Sequence, residues 1–196
     1  MAHPPAGRRL TLSPIGFDIV LALSQASDGL RLADIAHVIS SPISSAQTAL
    51  RILVANDIVQ RLAKDPPRYR LAPAHPARAE LVSLATVLPD APHAIGIVLR
   101  ANPAVAYAAV DADGFLASER ADAPLDAIDL LDRQLGMISS ARSDAPDVFR
   151  IPEDEFERHI RVAVGLRARA RRAVTIKGQP PPAARGPQAG GQRAVI

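Results

Sequence analysis

Between residues 12 and 55 the apolar side chains recur every three or four positions, the period of a helix that buries one face. In LSPIGFDIVLALSQ, Ser13 stands in an N-cap position and Pro14 at the first helical position, and Ile15, Ile19, Ala22 and Leu23 follow at helical spacing. The pattern predicts a first helix that ends before the Ser27-Asp28-Gly29 turn. LRLADIAHVIS predicts a short second helix on Leu32, Ile35, Ala36 and Ile39, stopped by Ser40-Ser41-Pro42. A third helix follows, with Ala46, Ala49, Leu50 and Leu53 inward and Val54 beside them. Its other face holds Ser44, Ser45, Gln47, Thr48 and Arg51, an unusual run of short hydrogen-bonding groups around one cation.

Beyond residue 57 the period changes. IVQRLAKDPPRYRLA reads as strand, turn, strand, with Asp65-Pro66-Pro67 at the tip and Arg61, Lys64, Arg68 and Arg70 around it. A further helix is expected from Pro76 to Leu88, its apolar edge made of Leu81, Leu84, Ala85 and Leu88 and suited to packing on the hairpin or on a second copy. Pro89, Asp90 and Pro92 then mark a junction. The second half predicts a helix on AIGIVLRAN and a hairpin, VAYAAV and FLAS, around Asp111-Ala112-Asp113-Gly114. An amphipathic helix follows on PLDAIDLLDRQLGMI, through Leu125, Ile128, Leu131, Leu135 and Ile138, and then a strand at VFRI. The last helix, PEDEFERHIRVAVGLRARARRAV, opens on Pro152 with acids in its first turn and arginines in its last, as the helix dipole favours. The tail KGQPPPAARGPQAGGQRAVI is expected to be disordered.

Composition narrows the chemistry. With 196 residues, 48% of them hydrophobic, the chain can bury a core of one or two domains, but at 3% aromatic and without Trp it offers no base-stacking platform. The absence of Cys removes disulfides, thiolate metal sites and Cys nucleophiles, and fits a reducing cytoplasm. No secretory leader pattern and no apolar run of membrane length is present, so no membrane role is expected. Charge alternates: residues 1–88 hold nine Lys and Arg against six Asp and Glu, residues 89–149 four against ten, and residues 150–196 ten against four. Basic ends suggest a polyanion, and an acidic middle suggests a basic partner or an end of this chain.

Motifs for catalysis are missing. Asp111, Asp113 and Gly114 lack the later oxygen ligands of a calcium loop and read as a hairpin turn. His3, His37, His75, His93 and His159 stand singly, and no GxGxxG, GxxxxGK[ST] or GxSxG occurs. No catalytic residue, metal or cofactor is therefore expected. The arginines of the last helix, Arg158, Arg161, Arg167, Arg169, Arg171 and Arg172, read equally as a second nucleic-acid or acidic-partner contact and as a solvated helix end.

LRLADIAHVIS, SPISSAQTALRILVANDIVQR and RYRLAP together resemble the winged helix-turn-helix transcription regulators of bacteria, over residues 12 to 72. The family's pattern usually has Gly where Asp57 stands. The resemblance implies an α+β fold. A winged helix-turn-helix domain of three helices and a β-hairpin wing is expected at residues 10–88, and a small α+β dimerisation or sensor domain with a long C-terminal helix at 89–175. A basic tail follows at 176–196. It implies a homodimer on double-stranded DNA. Ser44, Ser45, Gln47, Thr48 and Arg51 would then enter the major groove, and Arg61, Lys64, Arg68 and Arg70 would neutralise phosphates. Two other readings remain open. The serines Ser40, Ser41, Ser44 and Ser45 can simply cap and solvate a helix, or the whole surface can dock a protein, as in an antitoxin or assembly adaptor. The second half also loosely resembles nucleotidyltransferase-like domains, but VAYAAVDADGFLAS lacks their Gly-Ser element, which implies a catalytically dead copy.

Overall fold

The computed structural model describes residues 11–156 and 173–179, a mixed α+β chain. The described residues divide into two compact units between Ile97 and Val98. Pro89, where the sequence suggests a junction, lies in a short turn between two helices, and the division falls inside the second of them. No described helix is long and apolar enough to cross a membrane.

The first unit opens with α1 (Pro14–Ser24). Ser13 caps it as the sequence suggests, its hydroxyl oxygen accepting from Gly16 N at 3.2 Å. A two-residue strand, β1 (Leu30–Arg31), precedes α2 (Leu32–Val38), which begins at the first residue of the apolar pattern and leaves Ile39 at its C-cap. Two residues carry no period of their own, and β1 exists only because the hairpin lies beside it. α3 (Ile43–Ala55) leads into β2 (Val59–Leu62) and β3 (Arg68–Leu71). β3 is central, antiparallel to β1 and β2, with Leu30 opposite Tyr69 and Gln60 opposite Arg70. Gly29 sets the close approach before β1: its φ is +73°, and a Cβ there would meet Tyr69 O at 2.6 Å.

The core of this unit takes Ile35, Leu50 and Leu53 from the predicted faces of α2 and α3; on α1, Ile19, Ala22 and Leu23 are buried as expected, but Val20 and Leu21 are buried too and Ile15 only half so. α1 packs against α2, α3, β3 and α4 (Arg78–Val87). On α4, Leu81 and Ala85 are buried while Leu84 and Leu88 stay exposed. The short turn after it leads to α5 (Ala91–Ala101).

In the second unit, β4 (Val105–Asp111) and β5 (Gly114–Glu119) form the expected hairpin. Asp111 accepts from Asp113 N at 2.9 Å, an Asx turn of the kind that Asp-rich tips make. After α6 (Leu125–Ala141), β6 (Val148–Pro152) lies parallel beside β5, which requires the crossover that α6 supplies. The sheet order is β6-β5-β4-β7. VAYAAV and FLAS read as continuous apolar runs because the central strands are covered on both faces. On one face Tyr107, Ala109, Leu116, Ile151 and Phe156 cluster, with the rings of Tyr107 and Phe156 edge to face at 5.9 Å.

Three expectations change here. Ile176 and Lys177, read as the start of a disordered tail, belong to β7 (Val174–Lys177), antiparallel to β4. Four residues of strand have no legible pattern locally, and their pairing partner lies some seventy residues earlier in sequence. Pro152 ends β6 rather than opening a helix, and a helical turn begins at Glu153. Leu125, expected on the apolar edge of α6, is 79% exposed at the helix start, while Gln134 is buried with Ala127, Leu131 and Ile138. The six arginines of the last predicted helix and residues 180–196 lie outside the described residues.

Candidate nucleic-acid interface

α3 owes its position to its buried face: Ala46, Ala49, Leu50 and Leu53 are packed away, and small Ala at two of the four lets neighbouring elements approach closely. At 100° per residue the opposite face centres on Thr48, with Ser44, Ser45, Arg51 and Ile52 around it and Gln47 on its flank. Ser44, Gln47, Thr48 and Arg51 are exposed and Ser45 is half-buried, so the structure puts the five predicted residues of this helix on one solvent-facing surface. No Asp or Glu occurs in α3.

Of the reading in which the serines cap and solvate a helix, the capping half does not hold here, while exposed Ser44 agrees with the solvating half. Its N-cap is Pro42, no side chain caps the first turn, and the first backbone bond runs from Ala46 N to Pro42 O. Ser40 instead makes the turn between α2 and α3, with φ +52°. Thr48 Oγ1 donates to Ser44 O at 3.0 Å, which occupies its hydroxyl proton and leaves its methyl group and oxygen lone pairs for other contacts. Arg51 has no ion-pair or hydrogen-bond partner among the described residues.

The four hairpin cations separate into two kinds. Arg61 and Lys64 are exposed and unpaired among the described residues. Arg68 NH1 donates to Gly29 O at 3.1 Å, tying β3 to the turn before β1, so this arginine holds the hairpin in place. Arg70 reaches across to Gln60 Oε1, with Nε at 3.4 Å and NH2 at 3.3 Å, long bonds at an exposed site that another acceptor can replace. Asp65 stands at the hairpin tip beside Lys64, the one acid of the loop.

Sequence reasoning missed three residues of this surface. Ile43 is 55% exposed at the start of α3 and Ile52 45% exposed on its solvent face. Their signal was available, because Ile52 falls outside the Ala46, Leu50, Leu53 stripe. Arg31, opposite Arg68 in the sheet, is held by Asp34, its Nε 3.1 Å from Oδ2. Its role depended on β1, which the sequence did not reveal.

The second unit arranges its charges differently. Arg150 on β6 lies between two carboxylates, Nε 3.1 Å from Glu119 Oε1 and NH2 2.5 Å from Asp132 Oδ1. Arg120 pairs with Asp122 at 3.0 Å, each holding the other in its charged form. Lys177 Nζ donates to Asn102 O, and burial, with a smaller contribution from the charge of Arg120, pushes its pKa down to about 8. Burial pushes the Tyr107 hydroxyl up, opposed by its hydrogen bond with Thr175. Comparison of this chain with family models, with curated proteins and with solved structures returns no match.

Proposed function

We propose that this chain is a DNA-binding transcription regulator that reads duplex DNA with the solvent face of α3 and grips phosphates with the β2–β3 hairpin. The observation that carries the reading is that acid-free face, with Ser44, Gln47, Thr48 and Arg51 exposed and Ser45 half-buried among them, together with the exposed cations Arg61 and Lys64 of the hairpin. The order α1, β1, α2, α3, β2, β3 and the sheet order β1-β3-β2 support a winged helix-turn-helix, with α3 as the recognition helix and the hairpin as the wing. The major groove admits one helix, and short hydroxyl and amide side chains let its backbone come near base edges. Arg51 supplies bidentate recognition of guanine, Gln47 of adenine, and the Thr48 methyl a contact for thymine. Arg61, Lys64 and Arg70 contribute affinity without sequence preference.

Residues 10–88 act as the reading domain in this proposal. The α+β second unit dimerises the protein in the cytoplasm, so that two α3 helices address two half-sites. Titrating the purified chain against a random-sequence duplex pool and against its own upstream region, across salt, tests it. Tight, salt-dependent and sequence-selective binding supports the regulator; no binding at low salt rejects it. A second reading, a protein-docking module, draws on Ile43 and Ile52, since exposed branched apolar side chains suit a protein surface better than a phosphate backbone. Stoichiometric capture of one protein partner that is lost on Ile52→Lys, with DNA binding absent, would favour it.

A further inference from the structure

A cavity of about 470 Å³ opens in the first unit, within the size range of small-molecule sites. Leu12, Pro14 and Phe17 wall it from the start of α1, and Leu88 and Pro89 wall it from the turn after α4; α3 and the hairpin contribute nothing to it. Its polar groups are Asp18, Asp90 and His93. Asp18 is only 9% exposed, and its Oδ2 lies 3.0 Å from His93 Nε2. Its second oxygen has no partner among the described residues. Asp90 Oδ1 accepts from His93 N at 2.9 Å, which leaves its other oxygen toward solvent at this exposed turn.

Two carboxylates against one imidazole make the polar end of the cavity an acceptor of cations and a poor host for anions whatever the state of His93. The other walls are hydrocarbon, and Leu88, 53% exposed, is an apolar lip among the described residues. A ligand suited to both ends has an ammonium or guanidinium group on an aromatic or branched aliphatic body. We propose that this cavity binds such an amphipathic organic cation, the charge meeting Asp18 and Asp90 and the body lying between Phe17 and Leu88. Charge-assisted bonds to a mostly buried carboxylate supply discrimination, and contact of the body with the Phe17 ring adds apolar and aromatic packing.

Amide resonances of Phe17, Asp18 and His93 in the full chain report on the site. We would titrate phenethylammonium, its neutral isostere 2-phenylethanol, and phenylacetate. Phenethylammonium should shift these amides saturably, the alcohol should bind about tenfold more weakly, and the carboxylate should not bind. Asp18→Asn should remove most of the ammonium's advantage over the alcohol, Asp90 keeping the remainder, while Leu88→Ala, at a half-exposed position, should weaken ammonium and alcohol alike. Equal binding of all three probes, or no shift with any of them, overturns the proposal without reference to any variant. An unchanged ammonium affinity in folded Asp18→Asn overturns it too. None of these readouts involves DNA, so this site and the function proposed above fail separately.

Discussion

Among the described residues the two units carry six and five arginines, and the most exposed of the first unit and the best paired of the second serve different ends. In the first, Arg51, Arg61 and Lys64 project into solvent without partners among the described residues. In the second, Arg150 is clamped between Glu119 and Asp132, and Arg120 pairs with Asp122. A charge count over the sequence cannot separate these cases, because it records how many cations a segment has and not whether carboxylates fold against them. An unpaired surface cation costs little stability to remove and is available to a polyanion; a paired, partly buried one is part of the fold.

The sharpest way to break this comparison is to remove the free cations together. We predict that Arg51→Ala, Arg61→Ala and Lys64→Ala combined lower duplex-DNA affinity about a hundredfold at moderate salt, while stability changes by less than about 0.5 kcal/mol. Arg68→Ala in the same hairpin should behave as a fold residue, costing about 1 kcal/mol through its bond to Gly29 O. Chemical denaturation and fluorescence anisotropy on the same samples separate the two outcomes. In the second unit, Glu119→Gln leaves Arg150, whose side chain is 27% exposed, short of one counter-charge. It should destabilise the chain by about 1–3 kcal/mol and leave DNA affinity unchanged.

A pH scan tests the buried cation of the second unit. Lys177 has a pKa near 8 folded against 10.5 unfolded. Between those values the unfolded chain keeps a proton that the folded chain has released, so stability should rise as pH climbs from 8 toward 10. Below pH 8 both states are charged and the burial penalty is constant. Above pH 10 the raised Tyr107 works the other way, because its hydroxyl ionises first in the unfolded chain. Lys177→Met should flatten the rise between pH 8 and 10 in urea denaturation. The smallest effect is expected at Asp57, whose φ of +57° suits Gly. Asp57→Gly should stabilise the first unit by about 0.5–1 kcal/mol.

Much of the first unit was legible because α2 and α3 bury one face each, with Ile35, Leu50 and Leu53 where their spacing puts them, whereas α1 is buried on every side from Asp18 to Leu23. The turn at Asp57 was not legible: Asp stands where the resembled pattern has Gly, which counts against a tight turn, yet Asp57 takes the left-handed conformation at φ +57°. What else escaped depended on distant pairing. β1 and β7 are strands of two and four residues whose existence rests on β3 and β4, and no local period marks them. The division of labour among the hairpin arginines escaped for the same reason, because Arg68 finds its acceptor at Gly29, thirty-nine residues earlier. The Asp18–His93 pair joins α1 to α5, and neither residue forms a motif with its sequence neighbours.

The salt dependence of binding to a random-sequence duplex tests the central claim most directly. With Arg61, Lys64 and Arg70 as the phosphate-facing cations of one reading domain, log affinity should fall against log salt with a slope of about −3 per domain engaged. The Arg51, Arg61, Lys64 triple Ala variant should bring that slope toward about −1. A slope that the triple variant leaves unchanged would place the DNA contact elsewhere on the chain, and no binding at low salt would remove DNA from the account.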